Sequence, residues 1–295
     1  MEFSSTLFNW YQKNKRDLPW RKTKDPYKIW VSEVILQQTR VRQGLPYYTK
    51  FIEKYPSLNE LSLANEEEVL LLWQGLGYYK RAINLLESAK IIVKKNNGIF
   101  PNTFKDILKI KGVGNYTASA ISSICFDEKE VVVDGNVFRF ISRLFGIKRD
   151  IKLKSTFILF KKKLKSLIEN LNPGDFNQAL MEFGALQCMP IKPLCNSCVF
   201  KLDCKAYVMK DVKSYPLNKK KIIKKKRYLN YIVMSANKKL ILKKRNEVDI
   251  WKNLYEFPLI EGNYSKLDQI INKKEFIILI KKLKKPANFL KTVTV

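Results

Sequence analysis

Four cysteines in one short stretch, residues 188–204, limit what this 295-residue chain can fold into more than any other feature. Their spacing is Cys188-x6-Cys195-x2-Cys198-x5-Cys204. Four thiolates on one loop can surround a single zinc ion or an iron–sulfur cluster, and the spacing alone leaves both open. Four separate structural thiols are the less favoured alternative. We therefore predict a metal centre at this loop, with the fifth cysteine, Cys125, outside it.

Histidine is absent from the chain, so imidazole is available neither as a general base nor as a metal ligand. Acid–base chemistry must then use Asp, Glu, Lys or Tyr, and a soft-metal site must use cysteine. No signal peptide is recognisable, and no apolar run reaches the roughly 18 residues of a membrane span. We therefore expect a cytoplasmic protein without membrane contact, whose clustered cysteines bind metal rather than form disulfides.

The formal net charge of +29 makes a polyanion, most often nucleic acid, a candidate partner. Lysine, asparagine and isoleucine are all abundant, however, and AT-rich coding produces that composition without selection for binding. Charge alone therefore leaves both explanations open.

Changes in hydrophobic pattern, charge and the placement of proline and glycine divide the chain into three parts. Residues 1–211 predict a mainly helical domain, because short amphipathic segments alternate with breaks that carry proline or glycine. Residues 212–227 predict a basic linker. Residues 228–295 predict a small α+β domain, with a hairpin that turns at Asn237-Lys238 and a further strand from Trp251 to Ile260.

A Gly-Val-Gly turn, Gly112 to Gly114, lies between two helical stretches within residues 104–124. Glycines permit a tight turn and leave backbone N–H groups bare at the start of the second helix, where a phosphate can bind. An ordinary helix–turn–helix corner is the alternative. We favour contact with a DNA backbone because a helix precedes the turn and Thr117-Ala118 continues the second helix.

Two carboxylates stand out, although the local pattern gives each an ordinary explanation. Glu33 lies about 130° from the centre of the apolar arc of its predicted helix, which indicates a solvated surface position. Gln37 and Gln38 likewise predict surface amides. Asp134 follows three valines and precedes Gly135, which predicts a helix N-cap after an extended apolar segment.

Taken together, these motifs resemble the adenine DNA glycosylases of the helix–hairpin–helix superfamily, and the resemblance covers residues 1–211. It implies a mainly α fold, a helix–hairpin–helix glycosylase with a [4Fe–4S] cluster on the cysteine loop, followed by a small α+β Nudix-like domain. The matching segments are Leu18–Arg21, Pro26-Tyr27, Glu33–Thr39, Gly75–Tyr79, Gly112–Thr117, Asp134–Val137, Phe176–Ala179 and the four cysteines.

The resemblance also assigns chemical roles. Glu33 matches the general acid that protonates adenine N7, and Asp134 matches the carboxylate that stabilises the positive sugar, as in glycoside hydrolysis. Tyr116 and Asn136 match the residues that orient Asp134 and the reacting groups. The resemblance therefore replaces the surface interpretation of Glu33 and implies a hydrolase without lyase activity.

Binding roles follow from the same resemblance. Gln38 and Tyr78 match residues that wedge into the duplex as adenine flips out, and Arg21 matches a base-contacting arginine. Gly112 and Gly114 belong to the hairpin that contacts DNA. Lys192, Lys201 and Lys205 are expected to contact phosphates near the cluster. The implied partner is double-stranded DNA with adenine opposite 8-oxoguanine or guanine, bound by a monomer at the bacterial nucleoid.

A related enzyme, the endonuclease III-like glycosylase/lyase for oxidised pyrimidines, is the main alternative. That enzyme needs a lysine nucleophile two residues after the second hairpin glycine, where this chain has Tyr116. It also lacks a glutamate that matches Glu33. A catalytically inactive DNA-binding relative would have lost Glu33 or Asp134, and both are present.

The C-terminal residues depart most from the family pattern. They resemble a shortened Nudix-like lesion-recognition domain, best from Trp251 to Pro258, without the residues of a pyrophosphohydrolase. The family's Phe-Ser-His recognition loop has no counterpart with a histidine, and Thr292–Val295 is the nearest candidate. Another loop, around Asn263–Ser265, is the alternative reader. We therefore expect weaker discrimination of 8-oxoguanine from guanine than is usual for the family.

Overall fold

The computed structural model describes residues 3–168, 171–217, 226–236, 238–246, 251, 254–264 and 266–281. The chain divides into two compact units, Met1–Lys220 and Lys221–Val295. Where described, the first unit is mainly helical, as predicted. Its α-helices are α1 (Phe3–Asn14), α2 (Pro26–Leu36), α3 (Val41–Lys54), α4 (Leu58–Ser62), α5 (Glu66–Leu72), α6 (Lys80–Asn96), α7 (Phe104–Ile107), α8 (Asn115–Phe126), α9 (Gly135–Phe145), α10 (Lys154–Lys165), α11 (Pro173–Leu186) and α12 (Lys205–Val208).

Helices α2 to α8 build the first of two hydrophobic cores in this unit. Local capping explains several of their starts. The Asp25 side chain accepts a hydrogen bond from the Tyr27 N–H, and Pro26 occupies the first turn of α2. Ser57 and Glu60 form a reciprocal capping box at α4. Each cap satisfies backbone groups that a helix start leaves without a partner.

Helix α2 is buried on every side, and this corrects the surface position that periodicity predicts for Glu33. Residues 29–35 are all buried, and α2 packs against α3, α6 and α8. The apolar arc of a helix identifies a solvent-facing side only if the helix has a side that faces solvent. Glu33 is 7% exposed, so its carboxyl lies inside the protein. Of the two amides expected at the surface, Gln38 is exposed and Gln37 is half-buried.

The second core combines both ends of the first unit. It contains residues of α1, α9, α10 and α11, with Phe200 from the cysteine loop. Aromatic rings are its main contacts: the Phe140 and Phe183 centroids lie 4.3 Å apart, and Trp10 meets Phe183 edge-on at 4.6 Å. The cysteine loop is therefore anchored to α9 and α11 by apolar packing as well as by its sulfurs.

The predicted Gly-Val-Gly turn joins α7 to α8. Gly112 has φ +82°, and a Cβ there would lie 2.9 Å from the Asn84 side-chain nitrogen, so this position requires glycine. Gly114 is different, because its backbone is extended and nothing lies within 4 Å of an added Cβ. It is the N-cap residue of α8 without a side-chain cap, which leaves the backbone there open to a ligand.

Residues 212–217, the start of the predicted linker, pack within the first unit. A short 3-10 helix covers Val212–Ser214, Tyr215 is buried, and Leu217 forms a β-bridge with Asp150. Apolar residues in this segment account for the packing. The lysine-rich residues 218–225 lie outside the described part of the chain.

The second unit, where described, contains three small antiparallel sheets and two helices. The strands are β1 (Leu229–Tyr231), β2 (Ser235–Ala236), β3 (Lys239–Leu240), β4 (Lys243–Lys244), β5 (Tyr255–Glu256) and β6 (Leu259–Glu261). They pair as β1–β6, β2–β3 and β4–β5. The helices are α13 (Asp268–Ile271) and α14 (Lys274–Lys281).

The β2–β3 pair is the predicted hairpin, with Ser235 opposite Leu240. The single strand predicted from Trp251 to Ile260 is wrong, because β5 and β6 are separate strands with Pro258 between them. Proline has no N–H for a strand ladder, whereas the Pro258 carbonyl accepts a hydrogen bond from Ile232 at 2.8 Å. None of the helices in the described residues is long and apolar enough to cross a membrane.

Candidate active site

The buried carboxyl of Glu33 comes from a helix of the first core. Its Oε2 atom is buried without a hydrogen-bond partner among the described residues. Burial raises the pKa of Glu33 to about 7, the nearby Tyr116 hydroxyl lowers it, and the charge of Asp134 raises it further. A carboxyl with this pKa can hold a proton near neutral pH, which is the state a general acid needs.

Asp134 begins helix α9 of the second core, after buried Val131–Val133. As predicted, it is the N-cap: Oδ1 accepts from the Val137 N–H at 2.7 Å, and Oδ2 accepts from Asn136 Nδ2 at 2.9 Å. Burial raises the pKa of Asp134 above its ordinary value, and the bonds from Val137 and Asn136 and the charge of Arg139 only partly oppose that rise. These donors stabilise the ionised carboxylate and fix its orientation.

The Tyr116 hydroxyl interacts electrostatically with both carboxyl groups. Burial and the charges of Glu33 and Asp134 raise its pKa well above the ordinary value, so the hydroxyl keeps its proton. That hydroxyl lies 3.3 Å from the Met181 sulfur, and its hydrogen bond to Glu33 lowers the pKa of that carboxyl. The structure thus brings Glu33, Asp134, Tyr116 and Asn136 together in one site, with a protonated phenol beside a carboxyl of raised pKa.

A chain of hydrogen bonds continues from Asp134 to the cysteine loop. Asn136 accepts from Arg139 Nη2 at 2.8 Å, and Arg139 Nε donates to the Cys188 carbonyl at 2.7 Å. Arg139 also donates to the Gly184 carbonyl at 2.6 Å. A Cβ on Gly184 would lie 2.7 Å from the Asn136 carbonyl oxygen, so α9 and α11 meet here at backbone distance.

Arg143, one helical turn after Arg139, connects the start of the cysteine loop to the segment that follows the loop. Its guanidinium donates to the Met189 carbonyl at 2.7 Å and to the Tyr215 carbonyl at 3.2 Å, and Nη1 lies 3.5 Å from Cys188 Sγ. The side chain is 3% exposed. An arginine buried to this degree, with carbonyl partners on both sides, fixes the loop around its sulfurs.

All four loop cysteines are free and line one cavity with Arg143 and Phe200. Across the described residues, no three His, Cys, Asp or Glu side chains converge closely enough to hold a single metal ion. A tetrahedral zinc site needs sulfurs about 2.3 Å from one ion. Four cysteine thiols that line one cavity are the donor set that an iron–sulfur cluster takes.

Arg21 makes a buried bidentate pair with Glu182 of α11. Its Nη1 and Nη2 atoms donate to the two carboxylate oxygens at 2.9 and 2.7 Å, and Arg16 donates to the same carboxylate. Although burial opposes it, this set of donors lowers the pKa of Glu182 to about 2. The structure therefore places Arg21 against a carboxylate, so contact with a base would involve the Arg21–Glu182 pair as a unit.

The other residues considered in the sequence analysis are two candidate wedge residues, three lysines near the cysteine loop, and the fifth cysteine. Gln38 and Tyr78 are both exposed and both have positive φ, 56° and 50°. Lys192 and Lys205 are exposed and Lys201 is half-buried. Cys125 lies on α8 and does not line the cysteine cavity; burial raises the pKa of its thiol to about 12.

Sequence reasoning missed four residues that complete this site. Arg139 and Arg143 follow Asn136 at helical spacing on one face of α9, and that spacing was a readable signal. No local signal pointed to Glu182 or Met181, because their partners lie 65 to 166 residues away in sequence. Only the fold brings those contacts together.

Comparison with known proteins agrees with this geometry. A model of the HhH-GPD superfamily base excision DNA repair proteins matches residues 31–166. "Adenine DNA glycosylase" of Buchnera aphidicola subsp. Acyrthosiphon pisum (strain APS) is 39% identical over 287 residues, which cover 96% of this chain and 78% of the relative. The Homo sapiens "Adenine DNA glycosylase" is 42% identical over 217 residues, 69% of this chain and 39% of the relative.

Solved structures show the same architecture. A thermostable thymine-DNA glycosylase has a TM-score of 0.65 at 32% identity, covering 70% of this chain and 95% of that chain. Endonuclease III in a non-covalent complex with DNA has a TM-score of 0.59 at 20% identity, covering 70% and 94%, and shows the fold alone.

Fold, family model and relatives define a DNA N-glycosylase of the helix–hairpin–helix class that acts in base excision repair. Within that class, the chain belongs to the adenine DNA glycosylase family.

The raised pKa of Glu33 predicts how the stability of the folded protein changes with pH. The folded-state value of about 7 exceeds the value of ~4.3 expected in an unfolded chain, so the carboxyl favours folding below pH ~4 and this contribution is lost as pH rises through 7. Glu33→Gln removes the ionisable group. The variant should be more stable than the wild type at pH 8.5, by up to about 3 kcal/mol, and the difference should shrink toward pH 5.

Urea unfolding from pH 5 to 8.5 measures this difference. Glu53→Gln, at an exposed position of α3, is the matched control and should show no pH-dependent gain. A gain for Glu33→Gln that is the same at every pH would contradict a carboxyl buried in the folded state.

Proposed function

We propose that this protein hydrolyses the N-glycosidic bond of adenine mispaired with 8-oxoguanine or guanine in duplex DNA, without cutting the strand. The observation that carries the proposal is the buried Glu33 carboxyl, whose pKa is about 7 and whose Oε2 lacks a partner, electrostatically coupled to Asp134. Family membership supports adenine as the base. Tyr116 at the position of a lyase lysine supports hydrolysis alone.

Glu33 acts as the general acid. Its proton passes to adenine N7 while the bond between C1′ and N9 breaks, and N9 keeps the bonding electron pair, so adenine leaves as a neutral base. Water then adds to C1′ and gives a proton back to the Glu33 carboxylate, which restores the acid. The unpartnered Oε2 leaves Glu33 a free acceptor for that water.

Asp134 stabilises the sugar cation that forms between these two steps. The donors from Val137 and Asn136 favour its ionised form and fix the direction in which it points. Asp134 is half-buried, and partial removal from water strengthens the action of its charge on the cation. Tyr116, which stays protonated beside both carboxyl groups, orients the reacting groups.

Binding to duplex DNA follows from the residues at the surface. Gln38 and Tyr78 enter the base stack as adenine flips out, Arg21 with Glu182 faces the base, and the bare backbone at Gly112–Gly114 contacts a phosphate. The net charge of +29 favours a polyanion in the same way.

We further propose that Cys188, Cys195, Cys198 and Cys204 hold a [4Fe–4S] cluster. When bound, the cluster supplies a rigid, electron-rich core for the loop. The loop itself presents Lys192, Lys201 and Lys205 for phosphate contact, so its role is docking rather than hydrolysis.

The Nudix-like role of the second unit is also a proposal. Its small antiparallel sheets are compatible with a lesion-reading domain. Thr292–Val295, the nearest counterpart of the recognition loop, lies outside the described residues, as does Ser265 of the alternative loop. Weak discrimination between 8-oxoguanine and guanine remains the expectation from the sequence.

Excision assays test the chemistry directly. Single-turnover reactions on duplexes with A opposite 8-oxoguanine, G, C and T, and T opposite G, with and without alkali, separate the alternatives. Glu33→Gln and Asp134→Asn should each lose roughly 10²–10⁴-fold in rate because one removes the proton and the other the charge, while both still bind duplex.

Glu53→Gln is the exposed control for the excision assays and should match the wild type. Strand cleavage without alkali would point to the glycosylase/lyase, and removal of thymine alone would point to an activity like that of a thymine-DNA glycosylase. Full activity in either carboxyl variant would refute the mechanism.

The pH–rate profile tests the role of Tyr116. Excision should fall as pH rises through about 7, because Glu33 loses the proton it must donate. The Tyr116 hydroxyl lowers that pKa, so Tyr116→Phe should move the alkaline limb to higher pH even though the rate at its maximum drops. Tyr27→Phe removes a buried hydroxyl from α2, the helix that carries Glu33, and should leave the alkaline limb in place. An unmoved limb in Tyr116→Phe would show that the hydroxyl does not act on Glu33.

Metal analysis tests the cluster. Anaerobic purification should give a brown protein with about four irons per chain. Cys198→Ser should lose iron and duplex affinity, whereas Cys125→Ser should keep both. A colourless protein with one zinc would contradict the proposal.

A further inference from the structure

Two exposed side chains share an uncommon backbone conformation. Gln38 has φ 56° and Tyr78 has φ 50°, and Tyr78 is 63% exposed. L-residues other than glycine rarely occupy this left-handed region, and they do so where the surroundings hold them. We refer to residues 37–39 and 76–78 as the two wedge turns.

One buried contact network links the first wedge turn to helix α6. Arg81 lies in the first turn of α6, and its Nη1 donates to the Ile35 carbonyl at 2.9 Å and to the Gln37 carbonyl at 2.5 Å. The Thr39 hydroxyl lies 3.4 Å from the same nitrogen. Arg81 therefore bonds to the residues on both sides of Gln38, and it satisfies carbonyls that the end of α2 leaves open.

The same guanidinium reaches the second wedge turn. Arg81 Nη2 donates to the Gly77 carbonyl at 3.1 Å, and the guanidinium lies 5.7 Å from the centre of the Tyr78 ring. The Trp73 ring lies 5.4 Å away, and Trp73 Nε1 donates to the same Gly77 carbonyl. One side chain thus contacts both wedge turns and one of the two exposed residues.

The planar fork of arginine explains why a single side chain can do this. Its two terminal nitrogens point in fixed directions, so a bond to one turn sets the direction of the bond to the other. A lysine ammonium is a single point donor and cannot fix the two turns relative to one another. The contact distances therefore describe a clamp between the turns rather than two unrelated contacts.

We propose that Arg81 is a positioning residue for duplex opening: it sets the separation of Gln38 and Tyr78, so that both enter the base stack together as the target base leaves it. This inference rests on the proposed function. Insertion of side chains between bases must offset the loss of stacking. Two wedges held at one separation before binding lose less conformational freedom in that step.

The test compares Arg81→Met, Arg81→Lys and the control Tyr47→Phe in the full chain. Methionine keeps the apolar stem and removes every donor, whereas lysine keeps the charge without the fork. Tyr47 donates to the Gln74 carbonyl at 2.9 Å, just before the second wedge turn. Thermal melting identifies a temperature at which all four proteins are folded, and every assay is run there.

Opening is read from 2-aminopurine beside a non-cleavable adenine analogue opposite 8-oxoguanine, and chemistry from single-turnover excision. Wild type and Tyr47→Phe should unstack the probe and excise alike. Arg81→Met should bind the duplex, lose most of the fluorescence rise and lose roughly 10-fold or more in rate, with Arg81→Lys between them. In a Gln38→Ala background, Arg81→Met should lower the excision rate much less, because one of the two wedges whose separation Arg81 sets is already gone.

Each alternative gives a distinct result. Failure of the wild type to excise adenine overturns the proposed function itself. A wild type that excises, with Arg81→Met opening and excising equally well, overturns only the inference about Arg81. A rate loss of the same size in the Gln38→Ala background, or a shifted alkaline limb, would show that Arg81 acts through the end of α2 and Glu33 instead, which also overturns it.

Discussion

The bond network from Asp134 to Cys188 is the interaction on which the rest of the structure depends. Helix α9 starts at the carboxylate, and each turn after it places a polar side chain further along: Asn136, then Arg139 against the cysteine loop, then Arg143 inside it. Because α9 and α11 touch at backbone distance beside Gly184, none of these groups can move alone. The orientation of a carboxylate and the shape of the cysteine loop therefore both depend on one helix.

The two carboxyl groups differ because their surroundings differ. Glu33 lies on a helix surrounded by apolar side chains, where burial dominates and an oxygen has no partner. Asp134 lies at a helix N-terminus, where backbone and amide donors oppose burial. These different surroundings support the separate acid and ion-stabilising roles proposed for the two residues.

The sequence predicted most of this arrangement, and its failures have physical causes. Helical content, the Gly-Val-Gly turn and the Asp134 cap follow from local rules, since caps and turns need only neighbouring residues. Periodicity failed for Glu33, because it assumes that a helix has a solvent side. The Arg21–Glu182 pair could not be read from local pattern, since its members are 161 residues apart. The strand predicted across Pro258 failed because alternation counts side chains and ignores a missing N–H.

The buried acid has a consequence for the balance between stability and activity. A carboxyl with pKa about 7 near neutral pH is partly ionised in a place that gives Oε2 no donor, and such a group destabilises the folded state. Aromatic packing in the second core and the many bonds of Arg139 and Arg143 stabilise the surrounding helices without contacting that carboxyl. Adding a donor beside Oε2 would relieve the destabilisation, but it would also lower the pKa of Glu33, and the proposed mechanism would lose the protonated acid that it uses. In that mechanism the unsatisfied oxygen is required by the chemistry, and contacts elsewhere in the fold offset its cost.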